Sequence, residues 1–128
     1  MLTEDAIYLA GLFDGEGCVQ FKRYKRHRKG RKNPTNALSC TLDVAMVDKP
    51  TIEWIQKATG VGNVNRRVKN KSPSSKPHWK DQWRWNCSHK DAFKVALKIA
   101  PYSITKKEAL MQIIYYYAAK KVLQRHGL

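Results

Sequence analysis

The sequence predicts an α+β fold built around a four-stranded antiparallel sheet, and three patterns in it lead there. An apolar run at the N-terminus keeps helical spacing until it breaks on glycines. Two stretches then alternate apolar and polar residues at period two, each interrupted by Gly, Pro or Ser, and so predict two hairpins. Helical spacing returns between the hairpins and again after the second, giving the order helix, hairpin, helix, hairpin, helix, helix. At 128 residues the chain suits one domain, 1–128, with a basic tail from about 121 that frays.

The first helix starts near Thr3, a suitable N-cap, with Glu4 and Asp5 in the favourable first turn. Ile7, Leu9, Ala10, Leu12 and Phe13 supply its apolar faces, and Gly15 to Gly17 ends it. Gly11 in mid-helix costs about 1 kcal/mol relative to alanine, which predicts close approach of another backbone. A strand over 18–28 turns Val19 and Phe21 one way and Gln20, Lys22, Tyr24, Arg26 and Arg28 the other. After a connection through Gly30 and Pro34, a strand over 37–46 turns Leu38, Cys40, Leu42, Val44 and Met46 inward.

Asp48 and Pro50 open the next helix, which Gly60 closes. In the second hairpin Val64 and Val68 oppose Asn63, Asn65, Arg67 and Lys69, while Trp79, Trp83, Trp85 and Cys87 oppose Lys80, Gln82, Arg84 and Asn86. Residues 70–78 read as the loop between them, and Asp81 falls on the apolar side and weakens that end of its strand. Ser88 with Asp91, and Thr105 with Glu108, look like capping boxes for the last two helices, separated by Pro101.

The net charge is +15, from 25 Lys and Arg against 10 Asp and Glu, which points to a polyanionic partner. Its distribution is uneven: no Lys or Arg occurs before Lys22, and then Arg23, Lys25, Arg26, Arg28, Lys29, Arg31 and Lys32 follow closely. Cys18, Cys40 and Cys87 are odd in number and widely spaced, which excludes a disulfide framework and a CxxC zinc site and suggests a reducing compartment. The histidines have no metal-site spacing, and no leader or membrane-length apolar run is evident, so a soluble intracellular protein is expected. Lys90, Lys94 and Lys98 read as a solvated helix back, and Trp83 and Trp85 as core.

The run Leu9-Ala10-Gly11-Leu12-Phe13-Asp14-Gly15-Glu16-Gly17 resembles the motif of the LAGLIDADG homing endonucleases, departing from it at Phe13, Gly15 and Glu16. The element order resembles that family's αββαββα domain, whose sheet forms a saddle for DNA, and Gly60-Val61-Gly62 and residues 101–107 resemble counterparts in its single-motif members. The resemblance implies that Glu16 and the carbonyl of Gly15 bind metal, while Asp14 is structural at the helix foot. The expected ion is Mg²⁺, with Mn²⁺ as a substitute and Ca²⁺ as a non-cleaving occupant. One motif implies a homodimer in contact through Ile7, Ala10, Gly11 and Asp14. The family's solvent-ordering strand residue matches Asp43, where relatives often carry glutamine, and its lysine matches Lys106 or, given a one-residue shorter segment, Lys107. Lys49 is a further basic candidate.

A basic strand face is often only a solvated surface, but four strands of the same polarity favour double-stranded DNA in the major groove. Gln20, Asn63, Asn65, Gln82 and Asn86 suit adenine, and Arg26, Arg28, Arg67 and Arg84 suit guanine. Tyr24, Ser39 and Thr41 add contacts, and Lys22, Lys32, Lys69 and Lys80 suit phosphates. The resemblance thus implies a site-specific nuclease of a long, roughly palindromic target that serves intron or intein mobility. Alternatives of other classes are an intron-RNA maturase, a non-cleaving DNA-binding protein of the same fold, and a ribosome-associated RNA-binding protein, which leaves Glu16 without a purpose.

Overall fold

The computed structural model describes residues 1–67 and 81–125, in the order α1 (Thr3–Glu16), β1 (Gly17–Arg26), β2 (Thr35–Met46), α2 (Lys49–Thr59), β3 (Asn63–Arg67), β4 (Gln82–Ser88), α3 (Lys90–Ile99), a 3-10 turn (Ala100–Tyr102) and α4 (Lys107–Arg125). The strands form one antiparallel sheet in the order β1-β2-β4-β3, so each hairpin pairs with itself and β2 and β4 join the two at the centre. Cys40, Leu42 and Val44 of β2 and Trp85 and Cys87 of β4 are buried on the face that the helices cover, together with Leu9, Phe13, Ile52, Ile55, Ile99, Leu110 and Ile113. Period-two alternation puts the polar set of every strand on the opposite, helix-free face.

The turn Gly60-Val61-Gly62 locks α2 to β4. Gly60 ends α2 in the left-handed region, with φ 71°. Its N–H donates to the Gln56 carbonyl at 2.8 Å, as a glycine C-cap does. Gly62 also has positive φ, 91°, a conformation that glycine adopts without strain. A Cβ there would meet the Asn86 carbonyl at 2.7 Å. Between the two glycines the Val61 carbonyl accepts the indole N–H of the fully buried Trp85 at 2.9 Å, satisfying that donor inside the core.

Several boundaries depart from the sequence expectations, each for a local reason. The residue before α1 is Leu2, which makes no side-chain cap, so Thr3 is inside the helix. β1 stops at Arg26, leaving Arg28 and Lys32 exposed in the connection, and β2 starts at Thr35. Ser88 is the last residue of β4, with its hydroxyl 3.4 Å from that of Thr41, and α3 instead begins after His89, whose φ is 54°. Asp81 stands just before β4, which begins at Gln82, and forms an ion pair with Arg66, which faces the same side as Trp83 opposite it. α4 runs to Arg125 rather than fraying after Lys120. Val68, Lys69, the 70–78 loop, Trp79 and Lys80 lie outside the described residues. No helix among the described residues is long and apolar enough to cross a membrane.

Candidate active site and nucleic-acid interface

α1 packs on the sheet through Ala6, Leu9, Ala10 and Phe13, which recur on one helical face. Its last turn therefore points at the start of β1. Glu16 is exposed as the final helical residue, and Gly17 turns the chain directly into the strand. A side chain at position 17 would collide with the Phe13 ring, so glycine there lets the carboxylate leave the helix without displacing the core. Gly15 is exposed as well.

Asp14 has a different task. Its carboxylate accepts from the Ser103 hydroxyl, the Ile104 N–H at 2.7 Å and the Lys106 N–H at 3.3 Å, while the Thr105 hydroxyl donates to the Asp14 carbonyl at 3.0 Å. Burial pulls the Asp14 carboxyl upward, but these donors outweigh it and hold it below its ordinary value. The expected Thr105 and Glu108 capping box is thus replaced: the N-terminus of α4 is capped from another element, by Asp14. The same contacts bring the half-buried Lys106 to the foot of α1, beside a residue two positions from Glu16, whereas Lys107 is exposed as the first residue of α4.

Asp43 and Arg84 form an ion pair on the helix-free face, the Arg84 Nε and Nη2 both directed at Asp43 Oδ2. The sequence suggests separate tasks for these two, a solvent-ordering acid and a guanine reader. Their partnership depends on β2 pairing with β4, which no local signal encodes. Lys49 sits on the other side of the sheet, its Nζ 4.4 Å from the Trp83 ring centroid, a cation–π distance. The same Nζ is 3.8 Å from Glu53.

The helix-free face gathers most of the predicted nucleic-acid groups. Cys18, Asp43, Asn86 and Asn63 stand in one register row, Gln20, Thr41 and Ser88 in the next, and Lys22 faces Ser39 beyond. Toward the other end, Arg84 faces Asn65, and Gln82 faces Arg67. Tyr24 and Arg26 extend the face along β1, the Arg26 guanidinium donating to the Tyr24 hydroxyl at 3.1 Å. The sheet thus carries a polar surface of net positive charge with the Glu16 carboxylate at one end.

A single chain does not supply a complete metal cage: among the described residues no three His, Cys, Asp or Glu side chains stand close enough to hold an ion. The exposed Glu16 carboxylate could still contribute to holding a divalent cation whose other positions are filled by water and phosphate oxygens.

A family model for the LAGLIDADG endonuclease matches residues 9–99, from the motif helix to the end of α3. The chain belongs to the LAGLIDADG endonuclease family. No curated protein sequence matches it significantly. Solved LAGLIDADG structures share its fold: the homing endonuclease I-CvuI in complex with its target in the presence of Ca superposes with a TM-score of 0.69 at 16% identity, over 88% of this chain and 65% of that one. The archaeal intron-encoded homing endonuclease I-Vdi141I complexed with DNA gives 0.60 at 14% identity over 86% and 64%, and the group I intron-encoded I-CeuI complexed with DNA gives 0.62 at 10% over 98% and 59%. The chain therefore spans just under two-thirds of the length of such relatives.

One expected interface residue of this LAGLIDADG chain is overturned. Ala10 is fully buried in the chain's own core and presents nothing to a partner. Gly11 and Ile7 lie on the opposite side, Ile7 being 50% exposed and Gly11 having nothing within 4 Å of where a Cβ would stand. Asp14 is only half-buried and is committed to the α4 cap.

Proposed function

We propose that this LAGLIDADG chain is one half of a homodimeric, site-specific homing endonuclease that makes a double-strand break in a long, pseudo-palindromic DNA target and leaves short 3′ overhangs. The observation that carries the reading is the Glu16 carboxylate, exposed on a helix foot at one end of a polar, basic sheet face. The sheet attracts phosphate while the acid remains available to a cation.

In the reaction a water oxygen bonds to the scissile phosphorus as the water gives up a proton to surrounding solvent, the bond to the 3′ oxygen breaks, and that oxygen takes up a proton. Glu16 and the Gly15 carbonyl would hold the Mg²⁺ ion, which neutralises the charge that develops on the phosphate and the leaving oxygen. Lys106, held near the acid by the Asp14 cap, adds positive charge to the same region. The polar strand residues fix the register of the duplex so that one phosphate lies at the acid.

Because one chain carries one acid, a second copy supplies the cut in the other strand. Ile7 and the open backbone at Gly11 stand one turn apart on the outer side of α1 and suit the close approach of a partner helix. Incubation with a randomised target library, with Mg²⁺, Mn²⁺, Ca²⁺ or chelator, tests the reading. Cleavage is expected with Mg²⁺ and Mn²⁺, binding alone with Ca²⁺, and no cutting by Glu16→Gln. Cutting that survives Glu16→Gln, or rescue of intron splicing without any DNA cleavage, overturns it.

A further inference from the structure

We propose that Asp43 acts through Arg84: the pair is a preformed phosphate clamp at the Glu16 end of the sheet, in which Asp43 orients the guanidinium and takes no part in holding metal. The proposal rests on the nuclease reading above and assigns the pair a shared role within it. Three observations lead to it.

The first is position. Val44 of β2 pairs with Gly17, the residue after Glu16, on one side and with Trp85 on the other. Asp43 and Arg84 flank that row on the helix-free face, so the cation stands at the level of the acid. The second is occupancy. Asp43 Oδ2 already receives Nε and Nη2 of Arg84, and a carboxylate so engaged is a poor partner for a hard cation, in keeping with the lack of any three-ligand group among the described residues.

The third is what remains free. Arginine carries five donors in a planar fork, and its Nε edge is turned to Asp43. The other terminal N–H groups are left for an oxyanion. In register with Arg84, Ala45 on one neighbouring strand and Asn65 on the other add no competing charge, and Arg67, next along β3 on the same face, is a second cation. A fixed guanidinium at this place stabilises charge on a backbone phosphate beside the cut without reorganising.

The test is a double-mutant cycle on full-length protein with a cognate duplex, reading cleavage rate, Ca²⁺-supported DNA binding, Mg²⁺ half-saturation and melting temperature. Arg84→Ala is expected to slow cleavage about 100-fold. Asp43→Ala should slow it less, with Mg²⁺ half-saturation unchanged, and the double variant should be no slower than Arg84→Ala alone. The swap Asp43→Arg with Arg84→Asp restores the ion pair on the wrong strands and should stay as slow as Arg84→Ala.

Additive losses, a raised Mg²⁺ requirement in Asp43→Ala, recovery by the swap, or altered base preference with an unchanged rate would each overturn the assignment. If the unmodified protein cuts no duplex, the nuclease reading fails first, and the clamp is judged on binding alone. Arg84→Ala should then reduce the slope of log affinity against log salt by about one, and an unchanged slope removes the clamp as well.

Discussion

Replacing Asp14 by alanine should destabilise the fold without touching Glu16, the proposed metal-binding acid two residues away. The carboxylate accepts from Ser103, Ile104 and Lys106, and Ser103 is only 4% exposed. Leaving that buried hydroxyl without its acceptor costs about 1–3 kcal/mol. Losing the cap on α4 adds about 0.5–2 kcal/mol, and since the two overlap we expect about 2–4 kcal/mol in all, or a fall in Tm of about 10 °C for a domain of this size. Urea and thermal unfolding at fixed protein concentration measure it, with Asp14→Asn as the milder control that keeps one acceptor oxygen.

Acidity provides an independent check on the cause. Asp14 is held below its ordinary value of 3.8, so its stabilisation is complete above that pH and is lost as pH falls through the lowered folded value. The stability gap between the unmodified protein and Asp14→Ala should therefore be full near neutrality and narrow steadily on acidification below 3.8. A loss under about 0.5 kcal/mol at neutral pH, the range of ordinary surface changes, refutes the cap. So does a gap that acid leaves unchanged.

Gly62→Ala forces a Cβ against the Asn86 carbonyl at positive φ and should cost about 1–3 kcal/mol by urea unfolding. Gly11→Ala, where the added carbon meets open space, should instead gain up to about 1 kcal/mol of monomer stability while weakening self-association in sedimentation; a stronger dimer would contradict the proposed helix contact. A thiol reagent at mild alkaline pH should label Cys18 alone in the native protein, because Cys40 and Cys87 are buried and burial, aided by the Asp91 carboxylate and Cys40, pushes the Cys87 thiol up to about 12. Fast labelling of a second cysteine before unfolding would disprove that packing.

The element order, the polar face of each strand and the Gly60 turn were legible because they follow local rules: period two for strands, helical spacing for α1 and α3, and left-handed backbone for glycine. Caps are less legible. Ser88 and Thr105 match cap patterns, yet the sheet takes Ser88 as a strand residue and a distant carboxylate serves α4 in place of a local box. The α1 faces divide more finely than the motif implies, since Ala10 and Gly11 are neighbours in sequence but lie on opposite sides of the helix wall, one in the core and one open.

The site divides in the same way. Glu16 could be singled out from the sequence because a helix ending between glycines in an acid is a local pattern that the family motif makes specific. Its separation in role from Asp14 came from the same resemblance, but the donors that fix Asp14 arrive from residues 103–106, about ninety positions away, and only the packed chain brings them together. The Asp43 and Arg84 pair is likewise a product of β2 lying beside β4. By itself the sequence determined the family and the element order and singled out Glu16 as the candidate acid, all carried by contiguous residues. Which side chains share that acid's end of the sheet was decided by tertiary structure, because electrostatic and hydrogen-bond partners are set by distance in space and the chain encodes that only through the whole fold.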